Sequence, residues 1–266
     1  MSAASAFEKK KTNLFLVLSS IFLTNALLAE LIGVKIFSGE ALFHLPGAQI
    51  PLFAGAKLDF NLSAGVIIWP VVFITTDIIN EYFGKAGVKK ISLITVSLIL
   101  YTFLIITIIT SLPPAAFWLK VNSQAPNDNF FDINYAFNSI FRQGGGIIIG
   151  SVIAFLLGQL LDASVFHWLR KSTGSKKIWL RATGSTVISQ LVDSFVVLYI
   201  AFYVFGNWPF QQVLSVAIIN YIYKFFVAIA LTPLLYLVHY AIDRYLGIDK
   251  ANQLVEAAAH DESVVV

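Results

Sequence analysis

Six apolar runs, near residues 13–34, 62–83, 91–112, 146–167, 182–205 and 213–241, take up most of this chain. Each approaches or exceeds the roughly 20 residues a helix needs to cross a bilayer. Lipid offers no water to an unpaired N–H or C=O, so runs of this length can settle only as helices packed on one another. The expected fold is therefore an all-α integral membrane protein of six transmembrane helices. A single domain over residues 1–250 would hold them all, and residues 251–266 read as a poorly ordered tail. Charge content agrees, since 12% of residues are charged against about 25% in an ordinary soluble domain.

The positive-inside rule sets the orientation. With the N-terminus inside, the inner segments hold 13 of the 18 Lys and Arg residues, the outer ones only Lys35, Lys57, Lys120 and Arg142, and Lys224 stays in the membrane. Both termini are thus expected to be cytoplasmic. Lys9, Lys10 and Lys11 ahead of the first run imitate a signal peptide, but five more runs follow, so the first should remain as an anchor. The long sixth run can tilt or kink at Pro233. Outside, residues 35–61 carry an alternating run around Gly55, and residues 113–145 follow a break at Pro113 and Pro114. There Phe130, Phe131, Ile133, Phe137, Ile140 and Phe141 suit a helix lying on the membrane surface. Gly144, Gly145 and Gly146 read as a flexible joint behind it.

Several function classes drop out. There is no cysteine, which removes disulfides and thiolate metal sites. His44, His167, His239 and His260 are scattered without metal-binding spacing, and no phosphate-binding loop is present. No cofactor, metal or catalytic residue is expected. The basic clusters flank apolar runs rather than lining one face, which argues against a nucleic-acid partner.

What remains is a set of charges in the wrong solvent. Asp77, Asp162, Asp193 and Lys224 lie inside the apolar runs. A charge at mid-membrane costs roughly 2.5–3.5 kcal/mol on insertion scales and usually lines a substrate or ion path. At 1.5 Å per residue, Asp193 and Lys224 both fall near mid-membrane, which makes them natural partners. Asn220 shares a face with Lys224, and Asp77, Asn80 and Glu81 form a stripe nearer the cytoplasm. Spans four and five echo each other in Gly158-Gln159-Leu160-Leu161-Asp162 and Ser189-Gln190-Leu191-Val192-Asp193. In each, Gln and Asp share a helix face, and the small residue ahead lets a neighbour approach. Pro70 would kink span two, with Trp69 and Phe73 beside it as a flat surface for a planar ligand. Glu81 could face cytoplasmic water with Lys85, and Glu30 and Lys35 lie close enough to the outer surface to be solvated. The same polar groups could also be structural ion pairs and hydrogen bonds holding the helices in register.

At these residues the sequence resembles the queuosine precursor transporter family, grouped with vitamin uptake transporters. The resemblance runs from Trp69 to Glu81 with Gly84 following, through Gly158 to Asp162 with Phe166 and Leu169, through Arg181 to Ser185 with Gln190 and Asp193, to Tyr221 and Lys224. Asn25, followed by Lys35, resembles the family's first span with looser spacing. The resemblance implies a six-helix carrier of the inner membrane that imports 7-cyano-7-deazaguanine or its 7-aminomethyl relative for transfer-RNA modification. A deazaguanine offers two adjacent N–H donors that a carboxylate can accept in a fork. Asp193 is the first choice for that acceptor and Asp162 the second. Gln159 and Gln190 would satisfy a carbonyl or the nitrile, and Lys224 would neutralise Asp193 in the empty site. The expected substrate-binding set also takes in Asn220, Asp77, Asn80, Glu81, Trp69, Phe73 and Asn25.

The family's layout resembles the substrate-binding subunits of energy-coupling-factor vitamin transporters. Those dock on a shared partner through paired alanines four apart in the first span. Here Ala26 and Ala29 are three apart, which favours a stand-alone carrier. Two alternatives stay open: a capture subunit for a vitamin with an ATP-driven motor, and an intramembrane enzyme using Asp77 and Asp162 as paired carboxylates. The expected partners are a deazapurine and the lipid bilayer. Self-association is left open.

Overall fold

The computed structural model describes residues 3–51, 57–123, 131–142, 145–173 and 177–259. Within them, five helices are long and apolar enough to cross a membrane: Ser5–Ile32, Trp69–Thr110, Ile148–Thr173, Ile178–Val204 and Phe210–Ala230. Six were expected, and the count is five because the runs at 62–83 and 91–112 share one helix, α3 (Trp69–Thr110). That helix is broken at Gly84, whose φ of 66° and ψ of −172° no helix contains and which only glycine adopts without strain. The broken helix thus supplies two helical segments, 69–83 and 85–110.

The other elements follow the runs with shifted ends. Helix α1 (Ala3–Ile32) packs on α3, α6 (Gly145–Thr173) on α7 (Ile178–Leu198), and α7 on α8 (Phe210–Ala230). A turn of π-helix over Tyr199–Val204 prolongs α7. The sixth run breaks between Ala230 and α9 (Thr232–Leu246), with Pro233 in the first turn of α9, where its missing N–H costs nothing. Pro70 likewise sits in the first turn of α3 rather than inside a span. The expected kink there is not seen, because residues 61–63 are drawn into a strand and 64–67 into a 3-10 turn before the helix starts.

Two small antiparallel ladders sit at one end of the bundle. Strand β1 (Ile36–Ser38) pairs with β4 (Asn61–Ser63), and β2 (Ile50–Pro51) with β3 (Lys57–Leu58). Between them the short helix α2 (Gly39–Leu42) buries Glu40, whose carboxylate accepts from the N–H groups of Phe60 at 2.7 Å and Ala48 at 3.2 Å and from the Ser38 hydroxyl at 2.9 Å. Gly55 lies outside the described residues. Beyond α4 (Ala116–Val121), the expected surface helix is α5 (Ile133–Phe141), capped by Asp132 accepting from the Tyr135 N–H at 2.9 Å. Phe130 and Gly144 are outside the described residues, while Gly145 and Gly146 begin α6 instead of forming a joint.

The opposite end is closed by α10 (Ile248–Ala259). Residues 251–259 were expected in a poorly ordered tail. They are helical because Ala251, Leu254 and Ala258 bury one face against the core, and burial of such a stripe outweighs the weak helix preference of a short segment. Ala258 lies so close to Gly84 that a Cβ on residue 84 would meet its carbonyl at 3.0 Å. Residues 260–266 are outside the described residues. The core runs along α1, α3, α6, α9 and α10 around Phe22, Ile78, Tyr82, Phe166 and Leu235. Leu100, Leu104, Phe226 and Leu237 point outward and stay exposed, as a lipid-facing belt would.

Candidate functional site

Toward the ladder end, α1, α3, α6, α7 and α8 leave a partly open cavity of about 110 Å³. Asp193 and Lys224 lie in its wall, both buried, with the Lys224 ammonium donating to Asp193 Oδ2 at 2.6 Å. The ammonium also sits 4.6 Å from the centre of the Trp69 ring, within cation–π range. Trp69 is stacked on Phe73 at 5.8 Å between centroids. Asn220 lines the same cavity, its amide N–H donating to the Val216 carbonyl at 2.7 Å. That leaves its side-chain oxygen to accept.

The local sequence explains how a charge pair fits so deep. Gly158 on α6 faces Asp193 on α7, and a Cβ there would come to 3.5 Å of the Asp193 Cβ. One register further, Ser189 on α7 donates to Asp162 on α6 at 3.1 Å. Gly150 lies against Ala201 in the same antiparallel register. The two echoed segments therefore face each other, each small residue opposite the other segment's aspartate.

Glu30 is the cavity residue that sequence reading missed. It lines the wall, accepts a hydrogen bond from the Ser151 hydroxyl, and lies within electrostatic reach of Asp193. It was expected at the solvated outer surface. The contrary signal was the small-residue stripe Ala26, Ala29 and Gly33, which shares its face of α1 and lets α1 lie close to its neighbours. Ser194, also in the lining, gave no signal beyond its place next to Asp193.

The remaining expected residues do not line this cavity. Asp77 and Phe73 border a separate narrow crevice between α3, α7 and the α8–α9 break. Gln159 is buried and reached by the Thr76 hydroxyl at 3.5 Å. Asp162, Asn80 and Gln190 are buried in the layer beneath. Asn25 is half-buried on α1 and donates to the Ile21 carbonyl of its own helix.

Glu81 does not face water with Lys85. It is buried and gripped by Arg181, whose Nη2 and Nε reach its two oxygens at 2.5 and 3.2 Å, with Arg170 Nη2 at 3.6 Å. Arg170 donates further to the Glu81 carbonyl at 3.2 Å and to the Val255 carbonyl of α10 at 2.5 Å. A carboxylate so deep needs this fork, because a buried charge without a partner is far costlier than an exposed one. The cluster ties α3, α6, α7 and α10 together at the end away from the cavity mouth.

Chemically, the cavity offers two carboxylates, one ammonium, an amide and an indole face in a mostly apolar wall. Such a set suits a planar, polar, uncharged heterocycle that donates N–H groups from one edge. Among the described residues, no cluster of His, Cys, Asp or Glu could hold a metal ion.

Comparison with known proteins bears on the same stretch of chain. Residues 63–238 match the family model described as "Putative vitamin uptake transporter". A Bacillus subtilis protein named "Probable queuosine precursor transporter" is 30% identical over 181 residues, covering 66% of this chain and 72% of that protein. One of the same name from Haemophilus influenzae is 28% identical, covering 66% and 68%. The Escherichia coli "Queuosine precursor transporter" is 26% identical over 182 residues, covering 68% and 72%. No solved structure matches.

Proposed function

The chain belongs to the vitamin uptake transporter family and to its queuosine precursor transporters, and from that premise we propose that it imports a 7-deazaguanine, the 7-cyano or 7-aminomethyl form, as a stand-alone secondary carrier. It is a transporter and a multi-pass protein of the inner membrane. The observation that carries the substrate reading is the Asp193–Lys224 pair in the wall of an open cavity beside Trp69. An incoming deazaguanine would stack on Trp69 and present its N–H edge to Asp193. Lys224 would be drawn to the substrate's carbonyl, and Asn220 and Glu30 would take remaining donors. In this reading the two segments of α3 cross the membrane separately, making six spans. The ladder end with its open cavity faces outward, and the Glu81–Arg181–Arg170 cluster with α10 closes the cytoplasmic side.

A motor-dependent capture subunit is the weaker reading, because Ala26 and Ala29 are buried inside this chain and are not offered to a docking partner. The two-carboxylate enzyme fits less well still, since neither Asp77 nor Asp162 lines the cavity of Asp193 and Lys224. Expression in cells that can neither make the precursor nor import it tests the function. Supplied 7-cyano-7-deazaguanine should restore queuosine in transfer RNA with the wild type and not with Asp193→Asn. Restoration by both proteins, or by neither when the wild type is well inserted, would contradict the proposal.

A further inference from the structure

Beneath the cavity lies a second polar layer that the substrate reading leaves unused. Asp77 on α3 and Asp162 on α6 are both buried and within electrostatic reach of each other. Their surroundings are incomplete in a specific way. Asp77 Oδ1, Asp162 Oδ2, Asn80 Nδ2 and Gln190 Oε1 are fully enclosed with no hydrogen-bond partner among the described residues. Buried polar atoms are seldom left this way, and such groups call for an added proton, ion or water.

The charges of the layer suggest what that is. From α3 come Asp77 and Glu81, from α6 Asp162 and Arg170, and from α7 Arg181. Lys224 of α8 is committed to Asp193. On α9, His239 and Asp243 are hydrogen-bonded to Tyr82 at 2.9 and 2.6 Å. Helix α1 carries no charged residue between Thr12 and Ala29, and α10 gives the layer the Val255 carbonyl. Among the buried groups two arginines thus face three carboxylates, with Asp243 half-exposed at the edge, and the buried set carries one negative charge too many for a low-dielectric interior. A single added positive charge balances it, and two adjacent carboxylates are well suited to sharing one proton.

We propose that Asp77 and Asp162 form a proton-binding site that holds one shared proton, taken up from the outer side with the substrate and released to the cytoplasm in each cycle. This rests on the transporter reading above. The geometry supplies both a route and a link. The crevice bordered by Thr186 and the α8–α9 break touches Asp77, separately from the substrate cavity. Ser189, the hydroxyl donor to Asp162, lies one turn along α7 from Asp193, roughly 6 Å along the axis. Movement of α7 on substrate binding would therefore move a hydrogen bond of the pair. The occupied pair lets the charge-balanced layer reorganise, whereas the bare pair holds it to its arginines.

Two readouts on the purified full-length protein test this separately from transport. Infrared spectra at neutral pH should show the stretch of a protonated buried carboxyl that is lost in Asp77→Asn and in Asp162→Asn alike. Absence of that band in the wild type, or its survival in both variants, would overturn the site whatever the substrate. In proteoliposomes, an alkaline interior should drive accumulation of labelled 7-cyano-7-deazaguanine by about tenfold per unit of pH difference for a one-proton cycle. Both variants should lose that accumulation yet still exchange labelled for unlabelled substrate, which shows that they are folded. Accumulation driven by sodium and indifferent to pH would overturn the coupling. A wild type that shows the band but exchanges no deazaguanine would instead sink the transport reading.

Discussion

Asp193 and Lys224 are each unfavourable alone at the depth they occupy, and the 2.6 Å contact between them is what makes both tolerable. Removing one partner of a buried pair typically costs about 3–5 kcal/mol, because the other charge is stranded, whereas removing both is far milder. Lys224→Met should therefore destabilise the protein strongly, and the double variant Asp193→Asn with Lys224→Met should recover much of the loss. Unfolding in detergent measures this, and a double variant as unstable as Lys224→Met would show that the pair is not the reason. Counting residues from the span ends is enough to put these two at one level. Glu30 was not legible in that way, because a carboxylate near a span end is usually solvated, and only its contact with Ser151 on a distant helix turns it inward. Glu40 was equally invisible, since its role depends on two strands bringing Phe60 and Ala48 to it. Burial pushes its pKa up, but hydrogen bonds from Phe60, Ser38 and Ala48 outweigh that and hold it below 4.5. Its contribution to the ladder end is thus fully present above about pH 4.5 and is lost as pH falls through the lower folded value. Amide exchange at Phe60 and Ala48 should accelerate in that acid range in the wild type. Glu40→Gln should remove the pH dependence, and an unchanged acid response in that variant would place its cause elsewhere.

At the scale of elements, the echo between α6 and α7 is a contact rather than a coincidence of composition. Gly150 against Ala201, Gly158 against Asp193 and Asp162 against Ser189 all fit one antiparallel register. The sequence showed the repeated Gln and Asp, but not which residues would meet, because register depends on side-chain size along the whole interface. That register makes a graded prediction. A Cβ on Gly150 would come within 2.8 Å of Ile200 and 3.2 Å of the Ala201 backbone, while one on Gly158 meets ordinary 3.5 Å contact. Gly150→Ala should destabilise by roughly 1–3 kcal/mol, as overpacking commonly does, and Gly158→Ala much less. Equal effects on apparent Tm would mean that the register is different. Apolar runs made the long helices readable, since length in lipid leaves no other conformation. The ladders and α10 were not, because two- and three-residue strands carry no periodicity and a short helix is stabilised by its docking site. Pro70 shows the same limit: its distance from the end of the apolar run suggested a kink, yet the run itself was shortened by the pairing of Asn61–Ser63 with Ile36–Ser38.

The whole molecule is asymmetric between its ends. One end opens into a cavity bordered by the ladders, and the other is tied shut by Arg170, Arg181 and Glu81 with α10 laid across Gly84. In the proposed reading this is a carrier with its site exposed to one side, and a full cycle would require the arginine cluster to open as the cavity closes. Composition and charge distribution were enough to read a membrane bundle with a polar interior, but no sequence pattern marks which side of a bundle is open. Everything proposed for the transport cycle depends on the cavity being the substrate site. The decisive measurement is a thermal shift of the purified protein with 7-cyano-7-deazaguanine, with guanine and a panel of vitamins for comparison, because a ligand that binds only the native state must raise its apparent stability. A selective shift with the deazaguanine that disappears in Asp193→Asn is expected. No shift in the wild type, or the same shift in the variant, would mean that the substrate binds elsewhere or not at all.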